Sequence, residues 1–154
     1  MTKKNININI KKHQGGYSII ELIVVLGIVA VLASGVLMYA NSISENNTIK
    51  TAKNELLYIF PNAIRECIAR RNTLTGCNTA KIKEVLFLNT ANTAWGEVWT
   101  ATDASDKVTI VYPISNSQNP DSVGNDLITL LNARPKITAS YNSSIKKLTV
   151  VYSK

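Results

Sequence analysis

The side chains that most often carry chemistry are few in this sequence of 154 residues. It has one histidine, His13, and two cysteines, Cys67 and Cys77, while its ten acidic residues are scattered rather than paired at a catalytic spacing. It contains no nucleophile elbow, phosphate-binding glycine loop, dinucleotide-binding glycine motif or zinc-protease motif. The sequence therefore predicts no enzyme, no metal site and no cofactor.

One acidic residue occupies an unusual place. Glu21 is the only charged residue in the 22 residues from Ile19 to Ala40. As a helix, this run is about 33 Å long, enough to cross a hydrocarbon core of about 30 Å. An ionised carboxylate near the centre of a membrane helix costs on the order of 2 to 3 kcal/mol. Glu21 therefore either lies at the membrane interface or has a partner.

A basic leader precedes the apolar run. Residues 1–16 carry four lysines and no acidic residue. They lack the apolar stretch of a secretory signal peptide, and their lysines predict a cytoplasmic leader with the rest of the chain across the membrane. Without the leader, 17 − 4 = 13 basic residues face 10 acidic ones, so the net charge falls from +7 to +3. Net charge then gives little support to nucleic-acid binding.

The junction between leader and apolar run, Gly15-Gly16-Tyr17-Ser18-Ile19-Ile20-Glu21, resembles the processing site of type IV prepilins. The resemblance implies that a prepilin peptidase cuts after Gly16, that Tyr17 becomes a methylated N-terminus, and that Glu21 acts in assembly. Prepilins usually have Phe or Met at the position of Tyr17, so this residue departs from the pattern but keeps the aromatic character. Gly27 and the stretch Ala33-Ser34-Gly35-Val36 resemble the type IVb subclass, which includes toxin-coregulated, bundle-forming and conjugative thin-pilus pilins.

The resemblance suggests a partner for Glu21. In a filament of staggered helices, its carboxylate would neutralise the Tyr17 amine of an adjacent subunit, because opposite charges attract strongly where the dielectric constant is low. The alternative is a glutamate at the membrane interface without a partner.

The pattern after the apolar run predicts one long helix from Ser18 to Arg71. Apolar residues recur at spacings of three and four, which is typical of an amphipathic helix; they are Ile49, Ala52, Leu56, Phe60, Ala63 and Cys67. Pro61 cannot donate a backbone hydrogen bond, so we expect a kink or a short break near residues 57–60.

The two cysteines stand ten positions apart, on the last helical turn and in the following loop. Because the predicted topology exposes them to an oxidising compartment, we expect a Cys67–Cys77 disulfide. It would stabilise the fold by about 3 kcal/mol in the chain-entropy model.

The rest of the chain alternates with the period of strands. We expect a hairpin of residues 96–104 and 107–115, a helix starting near Asp121, and a hairpin of residues 136–142 and 145–154. Residues 81–89 fit a short helix or a strand. Trp95, Trp99 and Tyr112 are interpreted as sheet packing rather than a stacking platform. The predicted fold is α+β, with an antiparallel sheet packed on the amphipathic half of the long helix.

These observations predict three regions: a removed leader (1–16), an apolar transmembrane or assembly helix (17–43) and a globular pilin domain (44–154). The resemblance implies a structural subunit of a type IV pilus-like filament, with a role in adhesion, aggregation, motility or conjugation. Its expected partners are other copies of itself in a helical filament, the prepilin peptidase and the pilus assembly machinery of the inner membrane. The precursor would lie in the inner membrane with a periplasmic globular domain, and the filament would be extracellular.

Three alternatives stay open. A pseudopilin of a type II secretion system would often hold calcium through acidic residues near the C-terminus, but no Asp or Glu follows Asp126. A DNA-uptake pilin would need a basic stripe, for which Lys136, Lys146 and Lys147 are candidates; lysines that protect an edge strand explain them equally well. A minor pilin is the third, although minor subunits often lack the glutamate found here.

Replacing Gly16 by alanine should leave the leader attached or slow its removal, because the peptidase is expected to require glycine before the cut. Mass spectrometry of the membrane-bound protein measures this directly. A mature protein of the parent's mass would exclude the assigned cleavage site.

Overall fold

The structure is a computed structural model that describes residues 18–71 and 74–154. Its elements, in chain order, are α1 (Ile19–Asn54), a π-helical segment (Glu55–Ile59), α2 (Phe60–Arg71), α3 (Thr79–Val85), β1 (Thr100–Asp103), β2 (Lys107–Pro113), α4 (Pro120–Asn132), β3 (Ile137–Asn142) and β4 (Lys147–Ser153). This is the predicted α+β fold with a long N-terminal helix. The leader, the cleavage site after Gly16 and the Tyr17 amine lie outside the described residues.

The chain divides into two compact units between Ala40 and Asn41. In the first, every described residue is exposed, although nearly all of the side chains from Ile19 to Ala40 are apolar. The helix that begins at Ile19 is long and apolar enough to cross a membrane. An apolar surface of this length requires lipid or other helices around it.

The second unit, Asn41–Lys154, is built around a four-stranded antiparallel sheet in the order β1-β2-β4-β3. Both predicted hairpins form, and α4 connects them. The C-terminal strand β4 therefore lies between β2 and β3, with Ile110 paired to Val150 and Val150 to Ala139. Inward-facing residues alternate along β2 and β4 and are almost completely buried.

Two of the lysines considered for an edge strand do not lie on one. Lys147 begins β4, which is a central strand, and Lys146 precedes it and forms an ion pair with Asp121 at 2.8 Å. Only Lys136 adjoins an edge strand, β3. The edge-protection interpretation was wrong for Lys146 and Lys147, because strand order in a sheet cannot be read from local sequence.

The predicted apolar stripe of the long helix forms the other side of the core. Its buried members include Ala52, Leu56, Phe60, Ala63 and Cys67. The Phe60 ring makes edge contacts with Trp99 and Tyr112, at centroid distances of 4.9 Å and 6.3 Å. Trp99 and Tyr112 are buried, which confirms the prediction that they pack in the core.

Pro61 changes the helix without breaking it. The predicted irregularity is present just before this residue, as a π-helical segment in which the Phe60 N–H donates to the carbonyl of Glu55, five residues earlier. In that register the Leu56 carbonyl would accept from residue 61, but proline has no N–H. The Tyr152 hydroxyl of β4 donates to the Leu56 carbonyl instead, at 2.7 Å and in a buried position. The helix thus continues because the sheet supplies the missing donor.

The Cys67–Cys77 disulfide is present, with both cysteines buried and their Cα atoms 6.0 Å apart. Gly76 precedes the second cysteine with φ of 89°, a conformation that favours glycine. Its N–H donates to a carboxylate oxygen of Asp103 at 2.7 Å. The disulfide loop is therefore fixed at one end to α2 and at the other to β1.

Each edge strand is capped by one side chain from a helix. On β1, the Thr79 hydroxyl accepts from the Ala101 N–H at 2.6 Å and donates to its carbonyl at 3.1 Å. On β3, the Asn132 side-chain amide accepts from the Ala139 N–H at 2.6 Å and donates to its carbonyl at 3.1 Å. The backbone groups of Ala101 and Ala139 are thereby occupied, so they cannot pair with a strand of another molecule.

Replacing Tyr152 by phenylalanine should lower the free energy of unfolding by about 1 to 3 kcal/mol, because the buried Leu56 carbonyl loses its donor. Pro61→Ala restores an N–H at the position that lacks one. The free energy of unfolding that the double variant loses should therefore be smaller than the summed losses of the two single variants, by at least about 0.5 kcal/mol. Denaturant unfolding of the detergent-solubilised protein measures both. Tyr58→Phe, at a side chain that is half exposed, is the control; strictly additive losses would contradict the proline explanation.

Candidate functional site

The predicted assembly residue Glu21 lies in the first turn of α1, where it forms a reciprocal pair with Ser18. The Ser18 N–H donates to the Glu21 Oε2 atom at 3.0 Å, and the Glu21 N–H donates to the Ser18 hydroxyl at 3.2 Å. This is a capping box, which satisfies two backbone donors that a helix start otherwise leaves without partners. Sequence reasoning missed the role of Ser18, although the spacing Ser-x-x-Glu before an apolar run is its usual signature.

The capping box gives Glu21 a partner within its own chain. A carboxylate at this end of a helix is also stabilised by the helix dipole, whose positive end lies at the N-terminus. Only Oε2 accepts a hydrogen bond from a described residue. The first turn can therefore hold an anionic carboxylate in place while its second oxygen accepts another donor.

Two glycines of the apolar helix have no packing role within the described chain. A Cβ atom added at Gly27 or Gly35 would meet nothing within 4 Å. Small residues on membrane helices let a second helix approach closely. Their position suits contacts with another helix.

In the second unit, Glu45 holds two loops against the C-terminal half of α1. The carboxylate accepts from the Trp95 indole N–H at 3.3 Å and from the Ser117 hydroxyl at 2.6 Å. Next to it, the Gln118 side chain donates to the Asn41 carbonyl at 3.2 Å. These bonds attach the segments before β1 and after β2 to the helix.

Glu55 makes a second such attachment. Its carboxylate accepts from the Tyr112 hydroxyl, which itself accepts from the Ala94 N–H at 2.8 Å. Burial raises the pKa of the Glu55 carboxyl, and the bond with Tyr112 partly opposes that change. Burial also raises the pKa of Tyr112, so its hydroxyl stays protonated and continues to donate. Glu55 and Tyr112 are thus bonded to each other inside the fold, and neither lines the apolar groove of the second unit.

No group of three or more His, Cys, Asp or Glu residues that could hold a metal ion occurs among residues 18–71 and 74–154. The carboxylates of Glu21, Glu45 and Glu55 accept from backbone, indole and hydroxyl donors.

Comparison with known proteins gives one family match. Residues 11–37 match the prokaryotic N-terminal methylation motif. The match spans the predicted cleavage site, the Ser18–Glu21 capping box and most of the apolar run. No curated protein and no solved structure matches the chain.

This motif is the signature of type IV pilin and pseudopilin precursors, and the α+β fold is pilin-like, with a long apolar N-terminal helix and an antiparallel sheet. The motif thus supports a type IV pilin-like protein that is made as a precursor. It implies processing by a prepilin peptidase and handling by an assembly machinery. The apolar helix is consistent with membrane anchoring of that precursor.

Replacing Ser18 by alanine should weaken the start of α1 without changing the charge of Glu21. Loss of a capping hydroxyl costs about 1 kcal/mol, which corresponds to about fivefold faster exchange of the Glu21 amide proton. NMR hydrogen exchange of the protein in detergent micelles measures it. Ser34→Ala is the control, because that hydroxyl bonds the Val31 carbonyl inside the same helix. If the Glu21 amide proton exchanged at the same rate in Ser18→Ala and Ser34→Ala, the capping box would not form.

Proposed function

We propose that this protein is a structural subunit of a type IV pilus-like filament, cut after Gly16, methylated on Tyr17 and assembled through its apolar helix. The observation that carries the proposal is the N-terminal methylation motif at residues 11–37, on a helix whose apolar side chains are exposed. A folded α+β unit follows the helix, as expected of a subunit that displays its globular part on a filament.

The proposal divides the chain into a removed leader (1–16), an assembly helix (17–43) and a globular domain (44–154). It places the precursor in the inner membrane, with its leader in the cytoplasm and its globular domain in the periplasm, and the mature subunit in an extracellular filament made of copies of itself. Gly27 and Gly35, which have space around them, favour a type IVb-like helix that packs closely against its neighbours.

The geometry of the first turn supports an assembly role for Glu21. Oε2 accepts the Ser18 N–H, and Oε1 has no bond to a described residue. Cleavage after Gly16 would create a charged amine on Tyr17. An amine from an adjacent subunit could then bind Oε1 while the capping box stays intact, and in the apolar core of a filament both charges would be costly without each other.

The motif is shared by pseudopilins, so the location of the mature chain separates the two functions. The first experiment is mass spectrometry of the N-terminal peptide from sheared filaments and, separately, from membranes. A methylated peptide that begins at Tyr17 and is abundant in the sheared fraction supports the proposal. The same peptide confined to membranes would favour a pseudopilin or a minor pilin. A chain that still begins near Met1 would overturn the assigned processing.

Replacing Glu21 by alanine should leave processing intact but impair assembly, since the Tyr17 amine of the neighbour would lose its counter-charge. Glu21→Gln separates the charge from the cap, because glutamine also serves in a capping box. We expect both variants to be cleaved normally and to give few sheared filaments. Normal filament yield from Glu21→Gln would show that the residue acts through the helix cap alone.

A further inference from the structure

An apolar groove with a basic rim lies in the second unit, between α2 and the start of β3. It has a volume of about 410 Å³, and its floor includes Leu57, Pro61 and Ile64. Arg65 and Arg134 stand at its rim, and no Asp or Glu side chain lines it. Such a groove suits an apolar group that also interacts favourably with cations.

The cations of the rim are available for a partner. Among the described residues, the structure gives no ion pair to Arg65, Arg134 or Lys136. Lys136 has φ of 65°, in the left-handed region that usually costs a residue other than glycine about 1 kcal/mol or more. The Lys136 carbonyl accepts from the Ser153 N–H of β4 at 2.9 Å, so this conformation belongs to the turn that leads into β3 and holds the lysine beside the groove.

A second unusual residue, Phe87, lies elsewhere on the same unit. Its side chain is 90% exposed, the highest value among the large apolar side chains that the structure describes. Phe87 ends α3 in a Schellman motif: its N–H bonds the Glu84 carbonyl and the Leu88 N–H bonds the Lys83 carbonyl. The position has φ of 54°, where glycine is the usual residue. For ending the helix, an exposed phenylalanine is therefore less favourable at this position than glycine.

We propose that Phe87 of one copy inserts into the basic-rimmed groove of the next copy. This inference rests on the proposed filament function and names a contact between its globular domains. Phe87 does not line the groove of its own chain. Both halves of the contact are present on one chain, which favours a second copy over an unrelated partner.

The chemistry of the two surfaces is complementary. The apolar floor removes the phenylalanine ring from water, and arginine side chains at the rim interact with the ring face as cations do with aromatic groups. A basic rim without Asp or Glu side chains therefore suits an aromatic group. In the proposed filament the contact repeats head-to-tail, so each copy gives its Phe87 to one neighbour and receives the Phe87 of another; a reciprocal two-fold pair of the same contact would stop at a dimer.

Cysteine cross-linking tests the contact in the full-length protein, expressed with its processing and assembly machinery. Asn89→Cys, beside the phenylalanine, is combined with Arg134→Cys at the rim in one chain. Oxidation should give a ladder of trimers and larger species, because each chain would link to two neighbours. Val98→Cys with Arg134→Cys is the control, since Val98 is also exposed but belongs to another loop. Filaments that form without a ladder, or an equal ladder from the control, overturn the contact.

Phe87→Gly distinguishes assembly from folding. Glycine suits the left-handed position, so the melting temperature should stay the same or rise, while filament yield falls at least about tenfold, as expected for an interface anchor. Phe87→Tyr keeps the ring and should retain the yield. Parent-like yield from Phe87→Gly overturns the proposal. If the parent itself forms no filaments, the proposed function fails, and the ladder in membranes still decides the contact.

Discussion

The packing of one helix face against the sheet is the interaction on which the rest of the second unit depends. The stripe that includes Leu56 and Phe60 covers the inner face of β2 and β4, and the aromatic contacts of Phe60 fix its position. The helix must stay continuous across Pro61 to present that stripe. The Tyr152 hydroxyl makes this possible by supplying the donor that proline lacks, so the sheet that the helix covers also maintains the helix.

Much of the fold could be predicted because its signals are local. Apolar periodicity indicates the helix and strands, and the oxidising compartment that the predicted topology gives Cys67 and Cys77 indicates the disulfide. The features that could not be predicted depend on tertiary contacts. The π-helical segment needs Tyr152, which lies 96 residues from Leu56 in sequence, and the central position of β4 depends on how two hairpins join. In the candidate site, Glu21 was predicted from a resemblance. Its pairing with Ser18 was not predicted, although the local Ser-x-x-Glu spacing indicates it.

The acidic residues of the long helix show how one element can have two kinds of role. The Glu21 carboxylate accepts from the Ser18 N–H where the helix begins. Further along, Glu45 and Glu55 accept from indole, hydroxyl and phenol groups and attach the loops around the sheet to the helix. The same helix thus offers an apolar surface for association and a set of polar anchors for folding.

The caps on the two edge strands affect how readily a membrane-anchored precursor would aggregate. The proposed function would confine unassembled subunits to a membrane, where encounters between copies are frequent and open strand edges would template irreversible aggregation. Thr79 and Asn132 occupy the backbone groups of Ala101 and Ala139, one on each edge. Such subunits can therefore reach a high local concentration without strand pairing between their sheets. Their association then depends on contacts between side chains and between helices, which are reversible.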